Sequence, residues 1–212
     1  MLDHWFGRDW REPDAELIFQ ALDGYRSVIA GARLQRYRAL LAFERADGHD
    51  FVIDNPAQRQ TRVPLGPYYL IWDNASDPEL QALGTLGWPY QVSCIELTRR
   101  ADDRTLIPPG ASDEVKAGFM AAKDHCLTCH RIRGVGGAKY PIVLERAVCS
   151  WTDERLKGFI DNPRQLRPGT SMPAIDGSAD PASRQKTIER IVAYLNAVKA
   201  ADAACSEGSS GH

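Results

Sequence analysis

A chain of 212 residues with a formal net charge of -2, 43% hydrophobic and 25% charged residues has the composition of a globular protein of one or two domains. It offers no basic stripe for nucleic acid and no run of about 18 apolar residues for a membrane helix. Its first residues, Met1-Leu2-Asp3-His4-Trp5-Phe6-Gly7-Arg8, lack the basic start and apolar core of a signal peptide.

Residue usage changes along the chain. Every lysine falls from Lys116 onward, and four of the five tryptophans lie in the first half, which suggests two modules. The break is expected within residues 101–110, where Pro108-Pro109-Gly110 can continue neither helix nor sheet. A sheet-rich module, β or α+β, is therefore expected over residues 1–100. A linker follows over 101–111, then a helical domain over 112–204 and a flexible tail over 205–212.

In the first module, strands are read at 17–22 and 25–29 on either side of Asp23-Gly24, the signal for a hairpin or tight turn. Further strands are read at 40–43 and 51–53 about a second Asp-Gly, Asp47-Gly48. Two more follow, at 67–72, ending at Asp73-Asn74, and at 90–97. Period-two alternation in the last puts Val92, Cys94 and Glu96 on one face, where Cys94 reads as a small buried hydrophobe. A short helix is expected at 77–83. His4 and His49 stand alone and read as surface or satisfied core residues. Tyr68, Tyr69, Trp72, Trp88 and Tyr90 read as core and rim aromatics, with a docking face as the alternative because interfaces are rich in aromatics.

The runs Ala21-Leu22-Asp23-Gly24-Tyr25, Gly66-Pro67-Tyr68-Tyr69-Leu70-Ile71-Trp72 and Trp88-Pro89-Tyr90-Gln91-Val92 with Ile95-Glu96-Leu97 carry a resemblance. Residues 17–98 resemble the later part of the molybdopterin-binding domain of the sulfite oxidase family. That family holds molybdenum through a cysteine upstream of the Asp-Gly-Tyr turn. No cysteine precedes Cys94 here, so the resemblance implies a fold without the molybdenum site, or a shortened form of that domain, and no molybdenum is expected.

Three helices are read in the second module. Ser112 followed by Asp113 and Glu114 is a cap with an acidic first turn. Val115, Phe119, Ala122 and Cys126 then follow at i, i+4, i+7 and i+11 on one face. Thr152 caps a second helix, with Trp151 placed to staple against Leu156. That helix turns Leu156, Phe159 and Ile160 inward and stops at Asn162-Pro163. Asp180-Pro181 opens the third, a cap followed by proline at the first helical position. Ile188, Ile191, Val192, Leu195 and Val198 line its inner face, with Tyr194 beside them.

Between the first two helices stands Cys126-Leu127-Thr128-Cys129-His130. Two thiols three residues apart and an adjoining imidazole let one short segment bond both haem vinyl groups and present its histidine to the iron. A redox dithiol would follow a strand at a helix start. Zinc would need a second Cys or His pair. Neither context is seen, so one haem c is expected, bound through Cys126 and Cys129 with His130 on the iron. Covalent haem attachment in bacteria occurs outside the cytoplasmic membrane, so a periplasmic protein whose signal is missing from this sequence is expected.

This half resembles a class I cytochrome c from about residue 112 to 204, in the order helix, haem motif, middle helix, methionine loop, C-terminal helix. Gly118-Phe119 and Tyr194-Leu195 match the positions where that family crosses its first and last helices. Where the family often has Gly-Pro-Asn-Leu, this chain has Tyr140-Pro141-Ile142-Val143-Leu144. By resemblance, Tyr140 and Pro141 contact the haem, and the Pro141 carbonyl accepts a hydrogen bond from the second nitrogen of His130. For the sixth ligand, Met1 is the initiator and Met120 lies on the helix leading into the motif. That leaves Met172, which sits in a Pro/Gly-rich loop and matches the family's Pro-Gly-Thr-x-Met-Pro. His125 is tethered too close to serve, and His49 would require the other module to cap the haem. Arg131, Arg133, Lys139, Arg164 and Arg167 read as a solvated face, or as a docking rim and propionate partners.

Cys94, Cys149 and Cys205 remain, an odd number, and a Cys149–Cys205 bridge is the working hypothesis for an oxidising compartment. The fold expected is two-domain, a sheet-rich module followed by an all-α class I cytochrome c. The function expected is an exported electron carrier rather than an enzyme, shuttling single electrons between a periplasmic redox enzyme and an acceptor, its partner a dehydrogenase or oxidase. Its N-terminal module would serve partner docking or homodimerisation. The alternatives are the haem-bearing part of a molybdopterin oxidoreductase and a haem-based gas or redox sensor.

Overall fold

Asp23-Gly24 turns the chain as its sequence dictates. The Tyr25 amide donates to the Asp23 carboxylate at 2.9 Å, and Gly24 takes φ 85°, a left-handed conformation that glycine adopts without cost. The structure is a computed structural model describing residues 1–75, 77–82, 87–175, 180–202 and 205. The tail beyond Cys205, and Leu83 at the end of the helix read at 77–83, lie outside the described residues. The chain forms two compact units, Met1–Asn55 with Gln60–Arg104, and Pro56–Arg59 with Thr105–His212.

The first unit runs α1 (Leu2–Phe6), β1 (Ala15–Ala21), β2 (Arg26–Ala30), α2 (Gly31–Arg36), β3 (Ala39–Ala42), β4 (Val52–Asn55), β5 (Gln60–Pro64), β6 (Tyr69–Trp72), α3 (Pro78–Ala82) and β7 (Val92–Arg99). β1 lies between β2 and β7 in an antiparallel sheet, while β3–β6 and β4–β5 are two-stranded ribbons. Asp47-Gly48 does not close a hairpin, because the strands on either side of it pair elsewhere. Leu17, Phe19, Ile29, Leu70, Trp72, Leu80 and Val92 form the core. The buried Trp72 indole donates to the Gly87 carbonyl at 2.6 Å, and the Arg33 guanidinium of α2 lies 4.4 Å over its ring. His4 and His49 are exposed.

Cys94 is exposed, against expectation. The ladder slips between Gln20 and Ala21, so that Ala21 pairs with Val92 and Gln20 with Cys94. Such a bulge inserts one unpaired residue, here Ser93, and reverses the alternation beyond it. Val92 therefore shares the core face with Ile95 and Leu97, and Cys94 turns out beside Glu96, with Sγ 3.7 Å from its carboxylate.

The second unit holds α4 (Asp113–His125), β8 (Arg131–Ile132), β9 (Val135–Gly136), α5 (Leu144–Ala147), α6 (Asp153–Asp161), α7 (Pro163–Leu166) and α8 (Pro181–Ala200). The three helix starts are capped by the residues expected. Ser112 Oγ accepts from the Val115 amide, Thr152 Oγ1 from Arg155, and the Asp180 carboxylate from Ala182 and Ser183. Ile188, Ile191, Val192, Tyr194, Leu195 and Val198 of α8 are buried with Phe119 and Ala122 of α4, and each large apolar side chain so buried contributes about 1.5–3 kcal/mol. At the crossing, a Cβ on Gly118 would lie 2.0 Å from the Arg190 carbonyl oxygen. Leu106 is 1% exposed within the same core and accepts a hydrogen bond from the Tyr194 hydroxyl at 3.1 Å. A disulfide joins Cys149 to Cys205 with Cα atoms 5.2 Å apart.

The fold expectation needs correcting. The described residues of this unit are not all-α, and a class I cytochrome c fold is not shown. The chain leaving His130 makes an antiparallel hairpin, Arg131 with Gly136 and Ile132 with Val135. Its two turn residues, Arg133 and Gly134, have φ 49° and 80°, the successive left-handed pair that a tight hairpin of the primed type requires. Two short helices, α5 and α7, stand beside the three that the sequence announces. Mixed secondary structure is found in the first unit too, where α1 to α3 accompany the strands.

Candidate functional site

The Cys126–His130 segment continues the last turn of α4 rather than leaving it. The Cys126 amide donates to Ala122 at 2.8 Å, and the Cys129 and His130 amides both donate to the Cys126 carbonyl, at 3.1 and 2.9 Å. The segment after the hairpin then presses on this coil. A Cβ on Gly136 would meet the His130 carbonyl oxygen at 2.2 Å, and one on Gly137 the Thr128 carbonyl oxygen at 2.1 Å. Only glycine permits that approach. The Gly137 and Tyr140 amides close it by donating to Leu127 and Cys129 at 2.7 and 3.3 Å.

A cavity of about 560 Å³ opens beside the motif, within the range of small-molecule and cofactor pockets. Cys126, His130 and Tyr140 line it, as do Gly169, Thr170, Ser171 and Met172 of the methionine loop. Leu144, Val148, Leu156, Ile160 and Leu195, from α5, α6, α8 and the residue after α5, make its walls apolar. Of the predicted site residues, Cys126, His130, Tyr140 and Met172 are thus brought together. Cys129 and Pro141 are outside the lining. Cys129 is half-buried, its Sγ accepting from Thr128 Oγ1 at 3.8 Å, and Pro141 is exposed.

His130 is buried, and desolvation lowers its pKa, which favours the neutral imidazole that can donate a lone pair. Its Nδ1 is buried without a hydrogen-bond partner, so the donation to the Pro141 carbonyl is not made. The Tyr140 ring packs beside the imidazole instead, with centroids 5.8 Å apart and planes inclined at 34°. Burial, and then the neighbouring Cys129, push the Cys126 thiol up to about 12. Cys126 and Cys129 are not joined to each other; the disulfide of the unit is Cys149–Cys205.

The methionine loop is shaped by short turns. The Thr170 amide donates to the Arg167 carbonyl at 3.0 Å and the Met172 amide to Thr170 Oγ1 at 3.1 Å. The Tyr140 hydroxyl and Ser171 Oγ are 2.8 Å apart, a link that the sequence did not signal because it spans two loops. Of the five basic residues near the motif, Arg167 reaches the cavity, its guanidinium 5.8 Å from the Phe159 ring and 6.0 Å from Trp151. Arg133 donates to the Thr105 carbonyl, while Arg131 and Arg164 are exposed.

These residues fit a haem better than a bare metal ion. Among the described residues no group of three or more His, Cys, Asp or Glu is disposed to hold a metal. An apolar cavity with a thiol, a buried imidazole and a thioether on its lining suits a flat apolar macrocycle whose iron takes nitrogen and sulfur ligands.

Comparison with known proteins supports a relationship to the c-type cytochromes. The chain is similar to the cytochrome c-type protein cyt cy of Rhodobacter capsulatus, 29% identical over 107 residues that cover 42% of this chain and 51% of that protein. The chain thus spans about half the length of that relative. No protein-family model and no solved structure matches. Among the described residues no helix is long and apolar enough to cross a membrane.

Proposed function

We propose that the chain is an exported electron carrier that would hold one haem c through thioether bonds from Cys126 and Cys129, with His130 and Met172 holding its iron. The observation that carries this reading is that Cys126, His130 and Met172 line one apolar cavity. The relationship to a cytochrome c-type protein agrees with it. A bound haem supplies a one-electron couple between Fe(II) and Fe(III). The protein's own residues set its character. Burial keeps His130 neutral and ready to bind, the apolar walls exclude water, and a methionine thioether raises the potential relative to a second histidine. Tyr140 packs on the histidine that binds the iron. His130 and Met172 would both be taken up in holding the group, which suits electron transfer rather than chemistry on a substrate.

Donor and acceptor would be redox proteins of the periplasm, a dehydrogenase or an oxidase. The first unit, read as resembling a molybdenum-free molybdopterin-binding domain, would serve docking or dimerisation; its support is the sequence motifs over residues 17–98 and its aromatic side chains. The test is spectroscopic. The oxidised protein is expected to show the far-red methionine-to-iron charge-transfer band, and Met172→Ala to lose it while keeping covalently attached haem. A band that survives Met172→Ala would overturn the ligand assignment. Absence of covalent haem in protein matured with the c-type attachment machinery would overturn the whole reading.

A further inference from the structure

The proposed haem site leaves one contact unexplained, the hydrogen bond between Tyr140 and Ser171 at 2.8 Å across 31 residues of sequence. Tyr140 belongs to the segment that presses on the motif: its amide is held by the Cys129 carbonyl and its ring packs 5.8 Å from the His130 ring. Ser171 directly precedes Met172 in a loop whose outer residues, Arg167, Pro168 and Gly169, are exposed. The turns within that loop, from Thr170 to Arg167 and from Met172 to Thr170, fix its shape, and at its outer end the Pro168 carbonyl accepts from Arg59 Nη1 at 2.7 Å. On the far side of Met172 the Ile175 amide donates to the Ile160 carbonyl at 3.2 Å, and among the described residues the bond to Ser171 lies nearer the thioether than either of these. The tyrosine hydroxyl therefore anchors the loop one residue before the thioether, and it does so from the histidine side of the cavity.

We propose that Tyr140 is a positioning residue: its hydroxyl latches the methionine loop through Ser171 and so sets how readily Met172 yields its place to an outside ligand. The proposal rests on the reading of Met172 as the sixth ligand. Losing one half-buried hydrogen bond shifts an opening equilibrium about fivefold. Tyr140→Phe keeps the ring against His130 and removes only the latch. Ser171→Ala removes it from the other end.

The experiment uses the full chain with covalently attached haem, oxidised and titrated with imidazole while the methionine charge-transfer band is followed. Tyr140→Phe and Ser171→Ala should each bind imidazole about fivefold more tightly. The double variant should gain nothing further, because both changes remove the same bond, and Ser171→Thr should restore the parent value. Thermal unfolding of the variants should fall by no more than a few degrees, the amount one hydrogen bond allows, whereas a general loosening of the unit would lower it further. If Tyr140→Phe fails to load haem, Ser171→Ala and its threonine rescue decide the matter. Unchanged imidazole affinity in the single variants, or additive effects in the double variant, would overturn the latch while leaving the ligand assignment intact. A parent protein without the band, or one that keeps it after Met172→Ala, would overturn the ligand assignment and the latch with it.

Discussion

Replacing Gly118 with alanine sets two effects of opposite sign against each other. On helix propensity alone, alanine in the middle of α4 should stabilise the unit by about 1 kcal/mol. The crossing with α8 says otherwise. The added Cβ would lie 2.0 Å from the Arg190 carbonyl oxygen, 2.8 Å from its carbonyl carbon and 2.9 Å from Tyr194 Cβ. Two of these are backbone atoms, which cannot swing aside as a side-chain tip can. Restoring ordinary contact distance requires the helices to part by roughly 1 Å or more. That would loosen Phe119 against Tyr194, whose rings are 5.5 Å apart, and strain the Tyr194 hydroxyl's bond to Leu106. Overpacking of this kind costs about 1–3 kcal/mol and sometimes more, and a backbone clash belongs at the upper end. Setting about 3 against about 1 gives a net loss of about 2 kcal/mol. The assay is urea unfolding of the full chain, followed by far-ultraviolet ellipticity. Gly118→Ala protein that matches or exceeds the parent in stability would refute the close crossing of α4 and α8.

Two further outcomes follow from the same unit. The Cys149–Cys205 bridge closes a sequence separation of 56, and loop-closure entropy values that at about 4 kcal/mol. The double variant Cys149→Ser, Cys205→Ser should lower the urea midpoint accordingly, and in parent protein carrying the proposed haem, thiol counting after unfolding should find Cys94 alone. A count of three would dismiss the bridge. Hydrogen bonds from the Ser183 hydroxyl, then from the Ser183 and Ala182 amides, hold the Asp180 carboxyl below its ordinary 3.8. Because the folded value is depressed, the cap's contribution is fully present above about pH 3.8 and is lost as pH falls through the lowered folded value. An NMR titration of the Asp180 carboxyl should therefore give a midpoint below 3.8, moving upward in Ser183→Ala. A midpoint unchanged by that substitution would refute the assigned cause.

What the sequence makes legible here is local. Ser112, Thr152 and Asp180 announce helix starts because a cap needs only its own next three residues. The buried face of α8 follows from its 3.6-residue period, and Asp23-Gly24 declares its own hairpin. What depends on partners elsewhere in the chain is not legible. Leu40 pairs with Ile71 rather than across Asp47-Gly48, which no local pattern distinguishes. Cys94 faces outward because one unpaired residue in the ladder with β1 reverses the alternation of β7, and a strand read alone carries no sign of it. Among the residues lining the cavity, those of strong chemical type, Cys126, His130 and Met172, carry a signature in the sequence by that type alone. Ser171 escaped notice because a serine in a Pro/Gly-rich loop has no signature until Tyr140 is placed opposite it.

The element that breaks the all-α expectation is also the one that builds the site. After His130 the chain must double back to cover its own motif, and a helix leaving that point would carry it away instead. The Arg133-Gly134 turn reverses it within two residues. Gly136 and Gly137 then let the returning backbone lie against the carbonyls of His130 and Thr128. That close approach is what brings the Tyr140 amide to the Cys129 carbonyl and its ring to the His130 imidazole. From there the hydroxyl reaches Ser171, beside Met172. A side chain at Gly137 would push this segment off the motif and displace Tyr140 with it. The hairpin is thus a condition for the histidine and methionine sides of the cavity being linked at all.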